Sequence, residues 1–164
     1  MAQKYTLNKY AEAFETNMIA STYGEHVYNL LAEEDIENGS IVGRGDYVDD
    51  DDDLDVYKIV NAPEGFELTL RRQMNNGNWL VEVTKLPQNA DVILVRSVPV
   101  TQYDYTNEFK QDDTFYIAAG EIARGLVLHF GDKFEVSAKA FASGTPAKGA
   151  KVTTATKHKM VIGE

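Results

Sequence analysis

Alternation of apolar and polar residues dominates the middle of the chain. Residues 66–70 alternate in this way, and residues 79–83 repeat the pattern after the turn-forming segment 75–78. A period of two places successive side chains on opposite faces of a strand. The two runs and the turn between them therefore predict a β-hairpin.

Further short apolar runs predict strands over most of the remaining chain. They lie at residues 41–42, 56–60, 92–98, 114–118, 122–130 and 133–136, with a last hairpin from 152–156 and 159–162. Gly43 and Gly45 are expected to break the strand that starts at Ile41. Gly131 followed by Asp132 is expected to close a two-residue hairpin turn. We predict a mainly β fold, a compact antiparallel β-barrel or sandwich with an extended N-terminal arm and little helix.

The first 30 residues break this β pattern. Their apolar residues are spaced by three and four positions, as in a helical stripe, but polar residues interrupt it. We interpret residues 1–30 as an N-terminal arm and residues 31–164 as a single β-rich domain. The arm is expected to contact another chain instead of the core of the body, because its apolar residues need a surface to cover them. The candidate partner-contact residues are Tyr5, Leu7, Tyr10, Phe14 and Met18.

The negative charge of the chain is concentrated in one window. The formal net charge is −10, and residues 31–55 hold eleven acids and a single arginine. Five adjacent aspartates begin at Asp49 and end at Asp53, and carboxylates in such a run need water. The sequence therefore predicts an exposed acidic loop at residues 46–55. It also argues against nucleic acid as a partner, because attraction to phosphate supplies most non-specific affinity.

Residues that commonly carry catalysis are scattered or missing. The chain has no cysteine, which excludes a thiol nucleophile and a thiolate zinc site. His26, His129 and His158 lie in separate regions without metal-ligand spacing. Phosphate-binding and nucleophile-elbow motifs are absent. We therefore expect no enzymatic activity and no cofactor, with calcium at the aspartates 49–53 left open because carboxylate oxygens suit that ion.

The N-terminus lacks the apolar block of a signal peptide. No apolar run is long enough to span a bilayer, which takes about 18 residues. We therefore expect no membrane contact.

Three segments, taken in order, resemble a family of small phage proteins. Residues 35–43 read DIENGSIVG, residues 119–128 read AGEIARGLVL, and residues 131–141 read GDKFEVSAKAF. In this order they resemble the capsid decoration, or cement, proteins encoded beside the major capsid protein in tailed phages of Gram-positive hosts. The matching positions with a structural role in turns and strands are Asn38, Gly39, Gly120, Arg124, Gly131 and Asp132.

The resemblance implies a non-enzymatic auxiliary capsid protein of the virion, made in the host cytoplasm and bound to the capsid exterior. It would stabilise the shell by linking neighbouring subunits of the major capsid protein. The implied partners are that protein and a second copy of this chain at capsid symmetry axes. Arg124 is expected to pair with Glu121 or with a partner.

An alternative function stays open beside this one. A β-rich body with aromatic residues also suits a carbohydrate- or receptor-binding module of a phage tail or surface fibre. Its candidate site consists of Trp79, Tyr103, Tyr105 and the acidic loop.

Overall fold

β-Strands are the main secondary structure of the described part of the chain. A computed structural model describes residues 10–16, 18–23, 26–48, 55–97, 116–154 and 158–163. Short 3₁₀ turns at Ala20–Tyr23 and Ala138–Ala140 interrupt the strands. The twelve strands within these residues are β1 (Ala13–Glu15), β2 (Val27–Leu31), β3 (Ile41–Val48), β4 (Val56–Asn61), β5 (Glu67–Gln73), β6 (Trp79–Lys85), β7 (Ile93–Val95), β8 (Ile122–Val127), β9 (Lys133–Val136), β10 (Phe141–Ser143), β11 (Lys151–Thr154) and β12 (Met160–Ile162).

The strands form a closed barrel and a separate open sheet. The barrel has five strands in the order β2-β4-β3-β7-β8, with β8 hydrogen-bonded back to β2. The seven-stranded sheet has the order β1-β9-β6-β5-β11-β12-β10. Strand β2 is parallel to β4 and β10 is parallel to β12, whereas the other neighbours are antiparallel. The mainly β, barrel-containing fold expected from the sequence is confirmed.

Three barrel strands are shared between two apolar cores. Leu94 of β7 packs into the larger core, which also covers the inner face of the seven-stranded sheet, whereas its neighbours Ile93 and Val95 fill the barrel interior. The same division separates Ile41 from Val42 in β3. Leu126 and Val127 of β8 are divided in the same way. Where both faces of a strand meet a core, as in these short stretches, the strand has no solvent side. This explains why these segments are continuously apolar where other strands alternate.

The hairpin expected from alternation and the last hairpin expected along the chain are both present. Strand β5 pairs antiparallel with β6, and Leu70 lies opposite Val81. Strand β11 pairs antiparallel with β12, and Val152 lies opposite Ile162. The period-two pattern was informative here because one face of each strand meets the core and the other meets water.

The two glycines of β3 do not break the strand, contrary to expectation. Strand β3 continues to Val48, and β4 pairs with it in antiparallel orientation. A Cβ at Gly43 would lie 2.6 Å from the carbonyl oxygen of Asn61, and one at Gly45 would lie 2.8 Å from that of Lys58. The glycines therefore allow close approach of two backbones.

The turn at Gly131 connects the two sheets and does not close a hairpin. Strand β8 before it belongs to the barrel, and β9 after it belongs to the seven-stranded sheet. Gly131 has a φ of 86°, which favours glycine. The buried Asp132 carboxylate accepts the backbone N–H groups of His129, at 2.8 Å, and Ala20, at 3.3 Å. This carboxylate fixes the crossing point between the sheets and ties it to the N-terminal segment.

Part of the predicted arm lies inside the body. Strand β1 pairs with β9, and Ala11, Ala13 and Ile19 are fully buried in the larger core. The expectation of an arm outside the core is therefore wrong for these residues. The helical spacing was misleading because it followed the large apolar residues, whereas the residue that β1 buries is the small Ala13. Strand β1 is the outer neighbour that β9 would otherwise lack. Strand β2, which closes the barrel, also begins before residue 31.

The buried position of Ile19 gives the first prediction. Ile19→Ala should lower the free energy of unfolding by about 2–5 kcal/mol, because it leaves a cavity in the core. The neighbouring Met18 is 54% exposed, so Met18→Ala should change the free energy of unfolding by less than about 0.5 kcal/mol. Urea unfolding of both variants, followed by circular dichroism, measures the difference. Equal, small effects would contradict a core role for the N-terminal segment.

The close approach of β3 and β4 gives the second prediction. Gly43→Ala should destabilise the fold by about 1–3 kcal/mol, because the added methyl group meets backbone that cannot move aside easily. Gly163→Ala is the matched control, since its Cβ would lie 3.7 Å from the carbonyl oxygen of Lys151. Thermal melts of the two variants should separate clearly. A Gly43→Ala protein as stable as the control would show that the strands can spread apart at little cost.

Candidate interaction site

One end of the barrel carries a cluster of aromatic and charged side chains. It consists of Tyr28 on β2, Arg44 and Tyr47 on β3, and Tyr57 on β4, and we call it the tyrosine–arginine cluster. Tyr28 lies two residues before the buried Leu30, on the same side of β2. The strand register places Tyr57 beside Leu30 and opposite Tyr47. The cluster thus continues the inward-facing side of the barrel strands out to solvent.

Strand geometry explains why such large rings fit at this position. Tyr28 lies opposite Gly125 of β8. A Cβ at Gly125 would lie only 2.6 Å from side-chain carbons of Leu30 and Ile93. The barrel interior is therefore filled up to this level, and the tyrosines cover its open end.

The rings and the guanidinium hold one another in fixed orientations. The ring centres of Tyr28 and Tyr57 are 5.2 Å apart at 69°, and those of Tyr47 and Tyr57 are 5.5 Å apart at 77°. Arg44 Cζ lies 5.0 Å from the Tyr28 ring centre and 5.3 Å from that of Tyr57. Edge-to-face pairs and cation–π contacts of this kind restrict side-chain motion.

Polar contacts fix the edges of the cluster. An Arg44 Nη1 group donates to the Tyr28 hydroxyl at 2.8 Å, and Arg44 also lies 3.5 Å from the Asp91 carboxylate. The Tyr47 hydroxyl donates to Asp55 Oδ1 at 3.0 Å. Tyr47 nevertheless stays 53% exposed. A set of tyrosines beside an arginine has the composition of protein-binding hot spots. Because these rings are already held in place, little side-chain entropy remains to be lost on binding.

Of the arm residues that the sequence offered as partner contacts, the structure brings only Tyr10 and Phe14 together among those that it describes. Tyr5 and Leu7 lie outside the described residues. Tyr10 and Phe14 border a groove of about 400 Å³, whose other walls include Asn76 and Asn78. Met18 is exposed elsewhere on the N-terminal segment. Sequence reasoning missed the tyrosine–arginine cluster, although tyrosine at inward-facing strand positions was an available signal.

The positions on which the resemblance was based form structural contacts. Asn38 is buried, and its amide exchanges two hydrogen bonds of 2.8 Å with the backbone of Ser97. Gly39 adopts a φ of 85° beneath Ala140, and the Gly120 N–H donates to the Ala32 carbonyl at 2.7 Å.

The ion pair of Arg124 differs from the expectation. Its guanidinium pairs with Glu15 of β1 instead of Glu121. The carboxylate of Glu121 accepts the backbone N–H of Ala118. The observed pair joins the barrel to the first strand of the seven-stranded sheet.

A second polar feature lies at a cleft between the barrel and the chain before β12. His158 lines this cleft of about 270 Å³ together with Glu34, Ile36 and Ile59. Its Nε2 lies 3.9 Å from the Glu34 carboxylate. Burial lowers the pKa of His158 below its ordinary 6.5, and the Glu34 charge opposes part of this shift. The cleft therefore favours the neutral imidazole.

The predicted acidic loop is described only at its two ends. Asp46 and Asp55 are both exposed, and residues 49–54, including the aspartates considered for calcium, lie outside the described residues. Among the residues that the structure describes, no three or more histidine, aspartate or glutamate side chains are grouped so as to hold a metal ion. Within the same ranges, no helix has the length and apolar character needed to cross a membrane.

Comparison with known proteins does not place the chain in a family. No protein-family model matches it, and neither a curated protein nor a solved structure matches it.

The buried imidazole gives the third prediction. As pH falls below about 6.5, the unfolded chain binds a proton at residue 158 before the folded chain does, so folding stability should fall. His158→Asn should remove this contribution, since asparagine also tolerates the φ of 62° found there. Urea unfolding at pH 7.5 and 5.5 measures the slope, which is the change in the free energy of unfolding with pH. His26→Asn, at an exposed position, is the control, and an unchanged slope in His158→Asn would refute the prediction.

Proposed function

We propose that this protein is a capsid decoration protein, a non-enzymatic structural protein that binds the outer surface of a phage capsid. The observation that carries the proposal is the tyrosine–arginine cluster. It presents an exposed, pre-ordered aromatic surface at the end of a rigid barrel. Such a surface suits contact with a folded protein, because few rotamers must be frozen on association.

The arrangement of the family-like segments supports the same proposal. The Asp35 carboxylate accepts the Ala119 N–H at 3.0 Å, and Ile36 forms a β-bridge with Ile117 next to the second segment. The third segment follows the second across the Gly131 turn and supplies β9. The three segments thus belong to one contiguous framework at the junction of barrel and sheet.

The proposed partner is the major capsid protein, with a second copy of this chain as an additional contact at symmetry axes. A body that contacts two neighbouring subunits adds binding free energy across their boundary. Repetition over the shell multiplies weak contacts through avidity. Shell stabilisation therefore requires neither a cofactor nor a catalytic group in this protein.

The alternative of a glycan-binding module has a different surface in its favour. Trp79, part of its expected site, is only 9% exposed and packs in the larger core, so that assignment is wrong. Tyr103 and Tyr105 lie outside the described residues.

The groove beside Tyr10 and Phe14 has the mixed aromatic and amide lining of carbohydrate sites. Its Asn76 and Asn78 amides, however, already donate to Glu135, at 2.9 and 2.8 Å.

The fourth prediction concerns capsid binding. Mixed with undecorated capsids of the phage that encodes it, the protein should cosediment and saturate at a fixed ratio to the major capsid protein. Tyr47→Ala should weaken this binding by roughly ten-fold, as expected for an exposed aromatic anchor. Ile122→Ala is the matched control, because Ile122 is an exposed apolar residue outside the cluster. Absence of capsid binding, together with tight binding to cell-wall glycan, would refute the proposed function.

A further inference from the structure

The charge around the tyrosine–arginine cluster is strongly unbalanced. Asp46 immediately precedes Tyr47 and is exposed, and Asp55 accepts the Tyr47 hydroxyl. The structure describes both Val48 and Asp55, and the sequence holds five further aspartates between them. The outermost ring of the cluster is therefore flanked by carboxylates and joined to the most acidic part of the chain.

The two described bases beside the cluster form ion pairs with other carboxylates. Arg44 is the single base between residues 31 and 55, and its guanidinium lies 3.5 Å from the carboxylate of Asp91. The ammonium group of Lys58 lies 3.6 Å from the carboxylate of Glu33. Neither of these two ion pairs uses the carboxylate of Asp46 or Asp55.

Arg44 also shows that rings of this cluster accept a cation. Its guanidinium lies close to the ring centres of Tyr28 and Tyr57 and donates to the Tyr28 hydroxyl. The electron-rich faces of tyrosine rings attract guanidinium and ammonium groups. Tyr47 has the same chemistry, with half of its side chain exposed at the edge of the cluster.

We propose that this end of the barrel docks a lysine- or arginine-rich segment of a partner protein, with Tyr47 as the aromatic anchor and Asp46 and Asp55 as counter-charges. The long aliphatic stems of lysine and arginine pack on a ring while their charged ends reach neighbouring carboxylates. An acidic partner is repelled by the same surface. The inference deepens the proposed function, because it names the chemistry of the partner's contact.

A basic peptide tests this inference without a capsid. Fluorescein-labelled hexalysine should bind the full chain in 50 mM salt, measured by fluorescence anisotropy, whereas labelled hexaglutamate should not. Salt at 300 mM should weaken the binding by about ten-fold, because it screens exposed charges. Tyr47→Ala should weaken it about five-fold, and Tyr47→Phe, which keeps the ring, by less than two-fold. Circular dichroism checks that each variant is folded, and Tyr47→Thr replaces the alanine variant if that one is not.

Several outcomes would overturn the inference. Equal hexalysine binding by Tyr47→Ala and the unaltered chain would show diffuse attraction to acids without an aromatic anchor. Equal binding of hexaglutamate would exclude charge selection. Salt-sensitive self-association that Tyr47→Ala abolishes would identify a second copy of the chain as the occupant.

Failure of this inference is distinguishable from failure of the proposed function. Absent hexalysine binding with intact capsid cosedimentation would overturn the cationic partner segment alone. Hexalysine binding that depends on Tyr47, without any capsid binding, would support the cationic site and refute the capsid partner.

Discussion

The sharing of β3, β7 and β8 between two cores is the constraint on which the rest of the molecule depends. Residues of opposite parity on these strands enter the barrel interior and the larger core, as Ile93 and Leu94 do. Where both faces are covered in this way, neither face can tolerate a polar side chain without a buried partner. The barrel and the seven-stranded sheet are therefore packed together through apolar surface, and one cannot be removed without exposing the other.

Polar groups reinforce this apolar contact where the chain crosses between the sheets. Asp132 accepts the backbone N–H groups of His129, just before the crossing, and of Ala20 in the N-terminal segment. Arg124 of the barrel pairs with Glu15 of β1. Buried polar groups with satisfied hydrogen bonds specify a single arrangement of the backbone. The N-terminal segment is thereby part of the body from Ala11 onward, instead of a detachable arm.

The candidate site is a consequence of barrel closure. Inward-facing positions are apolar where the strands surround them, and they become tyrosine and arginine where the strands reach solvent. Tyrosine suits this boundary because its ring covers the apolar interior while its hydroxyl contacts water or a carboxylate. The same residues that seal the barrel therefore form an aromatic surface with Tyr47 exposed at its edge. In the proposed interaction, the acids beside Tyr47 favour a cationic partner.

Local patterns in the sequence determined the mainly β class, the β5–β6 and β11–β12 hairpins and the position of the acidic window. Each of these depends on neighbouring residues, through side-chain alternation, turn chemistry or charge. The tertiary structure alone decided the role of the Gly131 turn, the burial of Ala13 and Ile19, and the meeting of Tyr28, Tyr47 and Tyr57. These features require strands that are distant in the sequence to pair in one particular order. Periodicity shows that a strand has a buried side, but it carries no information on which other strand will cover that side.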